Sequence, residues 1–367
     1  MTDVFLYGAW CHAPLLTAVI GRLPALRPAT LPDYSLIWSE DHPGGWVQTA
    51  PDRQAAGRVA GDLTDAEAAR LAFYAEVLGL TVQVALITVA GVPTRCRLWS
   101  VDAPTAGLPW DEAAFLARRA GALTATAGDV MALCGQRPAS DLRRRYGHML
   151  VRGASRVRAA GAAAKLRRHA QAPDVEVIAW RQPYAEFFAV EEYDLRFRRF
   201  DGAMSPVVSR AIFISGDAVT VLPYDPVRDR VLLIEQFRAA VLARGDTQPW
   251  LLEAIAGRVD PGETPQEAAR REAVEEAGLA LGELLEVASY YPSPGAKAEY
   301  LYSYVALTDL PDGTGGTFGL ATEAEDIRSH LISFDQLMAL VRSGEAANAP
   351  LILTALWLER ERSRLRR

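Results

Sequence analysis

Residues 257–279, GRVDPGETPQEAARREAVEEAGL, concentrate more potential chemistry than any other part of the chain. A turn holding Gly257 and Gly262 runs into a segment that carries Glu267, Glu272, Glu275 and Glu276. Thr264, Pro265 and Glu267 read as a capping box with proline at the first helical position. The spacing therefore predicts a helix over 265–277, stopped by Gly278. On such a helix Glu272 and Glu276 lie four residues apart and Glu275 three from Glu272, so the three carboxylates occupy neighbouring ridges. Carboxylates this close repel, and one takes up a proton unless a cation lies between them. Mg²⁺, with Mn²⁺ as a substitute, suits the site because it takes oxygen ligands and bridges carboxylates to substrate phosphates. The pattern reads as a divalent-metal site built to handle a diphosphate, with Arg271 expected to pair with Glu263 and brace the turn. REAVEE alone would read as a solvated charged helix; the whole spaced pattern is what points to chemistry.

The elements that must hold this segment are visible as alternating and periodic runs. In the C-terminal half, strands are expected at residues 175–178, 193–197, 209–215, 218–223, 231–235, 250–254, 289–291, 300–306 and 331–334, with closing helices at 334–343 and 350–364. Strands on both sides of one central helix, with terminal helices outside, predict an α/β/α sandwich. In the N-terminal half, strands are expected at 4–7, 34–38, 81–89 and 95–100, and helices at 13–20, 64–78 and 110–120. The chain has 367 residues, which favours two domains. The basic stretch 141–169, rich in Arg and Ala, reads as a solvated helix plus linker. The expected division is a first domain over 1–160, a linker over 161–174 and a second domain over 175–367.

Composition limits the partners. A net charge of −6 argues against nucleic acid. Three scattered cysteines, Cys11, Cys96 and Cys134, fit a reducing compartment and neither a disulfide framework nor a zinc site. No basic region precedes an apolar stretch at the start, and no apolar run reaches membrane-spanning length, so a cytoplasmic protein without membrane contact is expected. The five histidines form no metal-spaced pair, and G-x-S-x-G, P-loop and G-x-G-x-x-G patterns are absent from the sequence. Serine-triad, ATPase and dinucleotide-redox chemistry thus lack support.

With its fixed positions filled, the 257–279 segment resembles the Nudix hydrolase signature. Residues from about 174 to 360 are similar to the ADP-ribose pyrophosphatase subfamily, through VLPYDPVRDRVLLIEQFR, WLLEAIAGRVDPGE, SPGAKAE and GLATEAEDIRSHLIS. Pro292 and Pro294, fourteen and sixteen residues after Gly278, add a supporting feature of ADP-ribose-type members. The resemblance implies Mg²⁺-dependent hydrolysis of ADP-ribose to AMP and ribose 5-phosphate. It implies Glu272, Glu276 and the Ala256 carbonyl as metal ligands, with Glu275 beside them. Glu323 matches the general base, with Glu325 its nearest rival. Arg238, Arg210 and Glu299 match substrate-site residues, and Phe187 is a candidate for stacking on adenine or for the core. The resemblance further implies a homodimer in which such N-terminal residues serve the neighbouring subunit. Ala211 stands where an acidic residue is expected after the arginine equivalent to Arg210. Another nucleoside diphosphate sugar or a dinucleotide as substrate, and an ADP-ribose sensor without turnover, are the competing readings.

FLYGAW, residues 5–10, resembles the opening of γ-glutamylcyclotransferase-like domains, which implies a small β-barrel-like fold over roughly residues 3–150. In that family a strand leads to a Tyr–Gly turn whose backbone holds a substrate carboxylate, here Tyr7 and Gly8. The family's acid/base carboxylate falls in LAFYAEV, where Ala72 and Ala75 stand at the expected acidic positions and Glu76 comes one residue late. One residue on a helix turns a side chain by about 100°. The expectation is a catalytically silent domain, with a bifunctional enzyme as the alternative if Glu76 is competent. The expected class is thus a two-domain α+β and α/β chain.

Overall fold

A two-residue turn shows how local sequence sets the first unit. Ala90 (φ 48°) and Gly91 (φ 81°) both take left-handed backbone, the conformation that matches a tight hairpin to the strand twist. They join β4 (Thr81–Val89) to β5 (Val92–Ser100), paired from Thr81↔Ser100 to Val89↔Val92. A computed structural model describes residues 3–40, 42–102, 106–159, 165–320 and 325–366. Among these, the chain separates into two units, Met1–Ala189 with Leu195–Val208, and Val190–Asp194 with Ser209–Arg367.

In the first unit β1 (Val4–Leu6), β2 (Leu26–Trp38), β3 (Trp46–Ala60), β4 and β5 run in the order β3-β1-β5-β4-β2. β2 pairs back onto β3, so five strands close a barrel, and the short β6 (Leu108–Pro109) pairs with the end of β2. Alternation sorts the side chains of β1. Phe5 and Tyr7 join Leu31, Val59, Ile87 and Leu98 in one core, while Val4 and Leu6 join the helical core. Six helices build that second core: α1 (Ala13–Ile20), α2 (Asp65–Val77), α3 (Glu112–Arg118), α4 (Ala120–Ala132), α5 (Ala139–Arg144) and α6 (Tyr146–Ala159).

The stretch read as a solvated helix and linker is corrected here. Met149, Leu150 and Ala154 of α6 are buried in the helical core, and Gly153 lets α6 press on α4, since a Cβ there would lie 2.3 Å from Thr126 Oγ1. Tyr146, Met149, Leu150 and Gly153 keep the i, i+3, i+4, i+7 spacing of a packed helix, which the surrounding arginines hide. The unit also runs further than expected, since β7 (Val175–Ala185) groups with it. Arg145 Nη1 donates to the Ala185 carbonyl at 2.8 Å, and Asp174 takes Arg168 and Arg198 at 3.1 and 2.8 Å. Residues 160–164 of the expected linker region lie outside the described residues.

The second unit takes the middle of β8 (Ala189–Phe197) and most of β9 (Val208–Ile214), which pairs in parallel with β15 (Lys297–Ala298). Its main sheet runs β14 (Leu284–Tyr290), β16 (Leu301–Leu307), β10 (Ala218–Asp225), β11 (Arg230–Phe237), β18 (Ile327–Ser333) and β17 (Thr317–Phe318). β12 (Trp250–Glu253) pairs with β11 and β13 (Ile255–Arg258) with β10; a short α7 (Ala239–Ala243) follows β11. The two faces separate cleanly. Val219, Val221, Leu232 and Ile234 pack with α8 (Pro265–Ala277), whereas Leu222, Tyr224, Val231 and Leu233 pack with α9 (Phe334–Ser343) and α10 (Ala349–Leu365). This is the expected α/β/α sandwich.

α8 starts and stops as its sequence dictates. Thr64 caps α2 and Thr264 caps α8 with full capping boxes, and Gly278 ends α8 at φ 62°. Ala269, Ala273 and Ala277 form one i, i+4 row that is almost fully buried, and Ala268, Glu272 and Glu276 form the next. Small residues bring the helix axis close to the sheet and carry the second row's carboxylates inward with it. Ala269→Leu would overpack that contact, a change that costs roughly 1–3 kcal/mol. A lower unfolding midpoint in urea, with helix content kept, is the expected result.

Candidate active site

The site begins where β13 passes α8. Gly257 has no side chain, and the space a Cβ would take lies 1.8 Å from Glu272 Oε1. Only glycine lets the strand backbone sit against that carboxylate. One residue earlier, the Ala256 N–H donates to Glu276 Oε2 at 2.9 Å. Glu272 and Glu276 are 9% and 3% exposed, which is rare for glutamates and sets their acidity. Burial pushes Glu272 up to about 7 against the nearby Arg271 cation. Burial likewise pushes Glu276 up to about 8 against the Ala256 hydrogen bond, with the negative charges of Glu272 and Glu325 adding to the rise.

Arg271 organises the flank of this pair. Its Nε and Nη2 take the two Glu263 oxygens at 2.8 and 3.1 Å, which is the expected brace. Nη1 reaches Glu272 at 2.8 Å and Glu275 at 3.1 Å, and Nη2 also donates to the Arg258 carbonyl at 3.0 Å. Glu275 is thereby held on the Arg271 side of Glu272. Among the described residues no three acidic, histidine or cysteine side chains converge closely enough to hold an ion by themselves.

The residues nonetheless fit a divalent cation. Two buried carboxylates driven toward protonation, set against a strand with room made by Gly257, form a hard-oxygen donor set whose ionised state a cation would stabilise.

Arg238, at the end of β11, lies in the same field. Its Nε donates to Glu253 Oε1 at 3.0 Å and its Nη2 to Glu253 Oε2 at 2.6 Å, a side-on pairing. Gln236 supports Glu253 from the neighbouring position at 3.5 Å. Burial alone would weaken the hold of Arg238 on its proton, but Glu253, followed by the charges of Glu276 and Glu325, strengthens it overall. Glu253 was not foreseen from sequence. Its signal was its place two residues before Ile255 on a strand that must pair with β11, where Glu235↔Leu252 and Ile234↔Glu253 set the register.

Glu325 shares this field with Arg238 and Glu276, while Glu299, Arg210 and Phe187 fall elsewhere. Glu325 sits after the 321–324 segment and accepts from Leu320 N at 3.2 Å. Glu323 lies outside the described residues. Glu299 accepts from Ser215 Oγ at 3.1 Å and pairs with Lys297 at 2.8 Å, beside β9 and β15. Arg210 on β9 is exposed, with Nη1 turned back onto the Ser209 carbonyl at 2.8 Å. Phe187 belongs to the first unit, where its ring meets His148 and Phe188 at 5.1 and 4.8 Å.

In the first unit, the Tyr7 phenol donates to the Trp99 carbonyl. Gly8 takes φ 53°, and its missing Cβ would lie 2.6 Å from the Gly44 carbonyl oxygen, which also accepts from Ala9 N at 3.0 Å. The Tyr7–Gly8 turn is thus closed by backbone. Glu76 is exposed between buried Ala75 and Val77, so it faces solvent instead of joining that turn.

Comparison with known proteins places residues 215–354 in the NUDIX domain family model. The ADP-ribose pyrophosphatase of Escherichia coli K12 is 44% identical over 186 residues, which cover 51% of this chain and 88% of that protein. The ADP-ribose pyrophosphatase of Haemophilus influenzae is 34% identical over 194 residues, covering 52% of this chain and 89% of that one. A GDP-mannose pyrophosphatase of Enterobacter is 31% identical over 150 residues, covering 41% and 77%.

The two raised carboxyls give a signed prediction for the metal-free protein. Between the ordinary value of 4.5 and about 7 to 8, the folded chain holds protons that the unfolded chain has released. Stability contributed by these groups is greatest at low pH and falls as pH rises through 7 and 8. Calorimetry in a chelating buffer should show a lower melting temperature at pH 8.5 than at pH 6, and Glu276→Gln should flatten the difference. Added Mg²⁺ should raise the melting temperature more at pH 8.5 than at pH 6, since the ligands must be ionised to bind it.

Proposed function

The chain belongs to the NUDIX family, and from that premise we propose that its second unit hydrolyses the diphosphate of ADP-ribose to AMP and ribose 5-phosphate. The observation that carries this reading is the buried pair Glu272 and Glu276 against Ala256 and Gly257, in a chain 44% identical to an ADP-ribose pyrophosphatase. The net reaction adds one water. A new P–O bond forms to the water oxygen, the P–O bond to the bridging oxygen breaks, and the two water protons leave the nucleophile and appear on the products and solvent.

Glu272, Glu276 and the Ala256 carbonyl would hold the divalent ion, Mg²⁺ in this reading, with Glu275 entering once Arg271 yields it. When bound, that ion supplies positive charge to the diphosphate oxygens and so lowers the electrostatic cost of attack. The remaining work falls to side chains. Arg238, fixed by Glu253 through Nε and Nη2, leaves Nη1 without a partner among the described residues and presents it to a phosphate or ribose oxygen. Glu323 accepts the water proton, with Glu325 the competing base. Glu299 and Arg210 contact the substrate, and Phe187 serves the partner's site in a homodimer. The first unit does not catalyse cyclisation in this reading, because Glu76 faces solvent.

The GDP-mannose pyrophosphatase match favours one alternative, another nucleoside diphosphate sugar as the preferred substrate. Chromatographic product analysis with Mg²⁺ separates the two. ADP-ribose should yield AMP and ribose 5-phosphate, with kcat/KM above that for GDP-mannose. Glu276→Gln keeps an acceptor for the Ala256 N–H and should remain folded while losing turnover; unchanged activity would sink the ligand assignment. Glu323→Gln should lower kcat by roughly 10²–10⁴, as for a lost general base. If Glu325→Gln is the crippled variant instead, the assignment of the base moves by two residues.

A further inference from the structure

The first unit carries a cavity of about 370 Å³, open to solvent on one side and within the range of small-molecule sites. It is bounded by the chain after β1, the β2–β3 connection and helices α1, α2, α4, α5 and α6. Trp10, Leu15, Val77, Leu80, Leu123 and Leu150 give it apolar walls. Trp10 stands edge-on to Tyr74 with ring centres 5.6 Å apart. An apolar or aromatic body would exchange water for these surfaces on entry.

Two polar features break the apolar lining. The first is a pair of phenols, Tyr74 and Tyr146, with hydroxyl oxygens 3.1 Å apart. Two hydroxyls carry two protons, and a single hydrogen bond between them uses one. Neither makes another hydrogen bond among the described residues, and Tyr74 is only 1% exposed. One O–H of the pair therefore lacks an acceptor, a state that costs free energy when buried. Burial also keeps both groups protonated, with Tyr146 pushed up to about 12, so the pair remains a donor across the physiological range.

The second feature is Arg143 on the cavity wall. Its guanidinium lies over Gly79, where a Cβ would come within 2.6 Å of Nη2, and φ of 72° keeps that position open. Neighbouring Arg144 and Arg145 pair with Asp141 at 2.8 and 3.2 Å, whereas Arg143 forms no ion pair among the described residues. Glu40, the carboxylate in the lining, is committed to Arg119 through contacts of 2.6 and 2.7 Å. An unpaired cation, a spare O–H and apolar walls meet at one cavity.

We propose that this cavity binds a small carboxylic acid with an aromatic or aliphatic body, its carboxylate received by Arg143 and the Tyr74–Tyr146 pair. Arginine's planar fork matches a carboxylate, and the spare phenol proton completes its hydrogen bonding. No bond is made or broken. The site is separate in sequence and in unit from the carboxylates of α8, and it does not depend on the reaction proposed for them.

The test is isothermal titration of the full chain with phenylacetate and hexanoate, against phenylacetamide as the neutral analogue of phenylacetate. Phenyl phosphate serves as a competitor of different charge and shape. The expected result is one saturable site for phenylacetate or hexanoate, at least tenfold tighter than for phenylacetamide. Arg143→Gln should remove that preference for charge and leave phenylacetamide unchanged; Tyr146→Phe should weaken the carboxylate severalfold. Glu276→Gln should bind the carboxylates like the unaltered chain. Absence of binding by both carboxylates overturns the proposal. So does binding equal to that of phenylacetamide, insensitivity to Arg143→Gln, a preference for phenyl phosphate, or loss of binding in Glu276→Gln. Arg143 is exposed and its replacement should fold; a matching circular dichroism spectrum and the Tyr146→Phe variant keep the result interpretable.

Discussion

The approach of β13 to α8 is the constraint on which the second unit depends. A strand backbone and a helical carboxylate can share that space only because residue 257 has no side chain. The alanine row at 269, 273 and 277 fixes the distance from the other side by letting the helix settle onto the sheet. Glu272 and Glu276, one ridge over, are consequently drawn out of water. The sandwich core, the placement of the carboxylates and their reluctance to ionise thus have one geometric origin. Burial that would destabilise two glutamates elsewhere becomes useful where a cation is to be held.

Counter-charges around this pair are arranged in two tiers. Arg271 holds Glu263, Glu272 and Glu275 and so stabilises the turn and the outer face of α8 in the absence of an ion. Arg238 is fixed by Glu253 from the sheet side. A guanidinium anchored through two of its nitrogens loses little further freedom when the third meets an oxygen, which is how a preorganised donor differs from a flexible surface arginine. The membership of the chain in the NUDIX family rests on the whole of residues 215–354, and the geometry explains why the signature residues need this setting.

How much could be read beforehand depended on how local the cause was. The cap at Thr264, the stop at Gly278 and the bounds of α8 are decided within a few residues, and the sequence sufficed for them. β4 and α1 were likewise legible from alternation and periodicity. The long β3 was not, because Pro51, Asp52 and Arg53 interrupt its pattern and its strand state depends on pairing along β2. α6 was hidden by its arginines, whose charged ends obscured the apolar positions that pack on α4. Glu253 drew no notice because its meaning lies in the β11–β12 register, a nonlocal fact. Glu76 shows how much a single step along a helix changes direction, since it is exposed between buried Ala75 and Val77.

The closed barrel of the first unit also fixes an order of events during synthesis. β1 is made before both of its partners, β3 and β5, with Val4 opposite Ala60 on one side and Arg97 on the other. β1 can gain its first partner once β3 has been made, but its other edge stays open until the chain has been extended through β5. At ribosomal rates of roughly 5–20 residues per second this is a wait of several seconds. The helices α1 and α2 can form locally in that interval, but the β5 side of Val4, Phe5 and Leu6 has no strand to join. Insertion of β1 between β3 and β5 therefore sets the moment at which the nascent first unit can become native, whatever the speed of its individual hairpins.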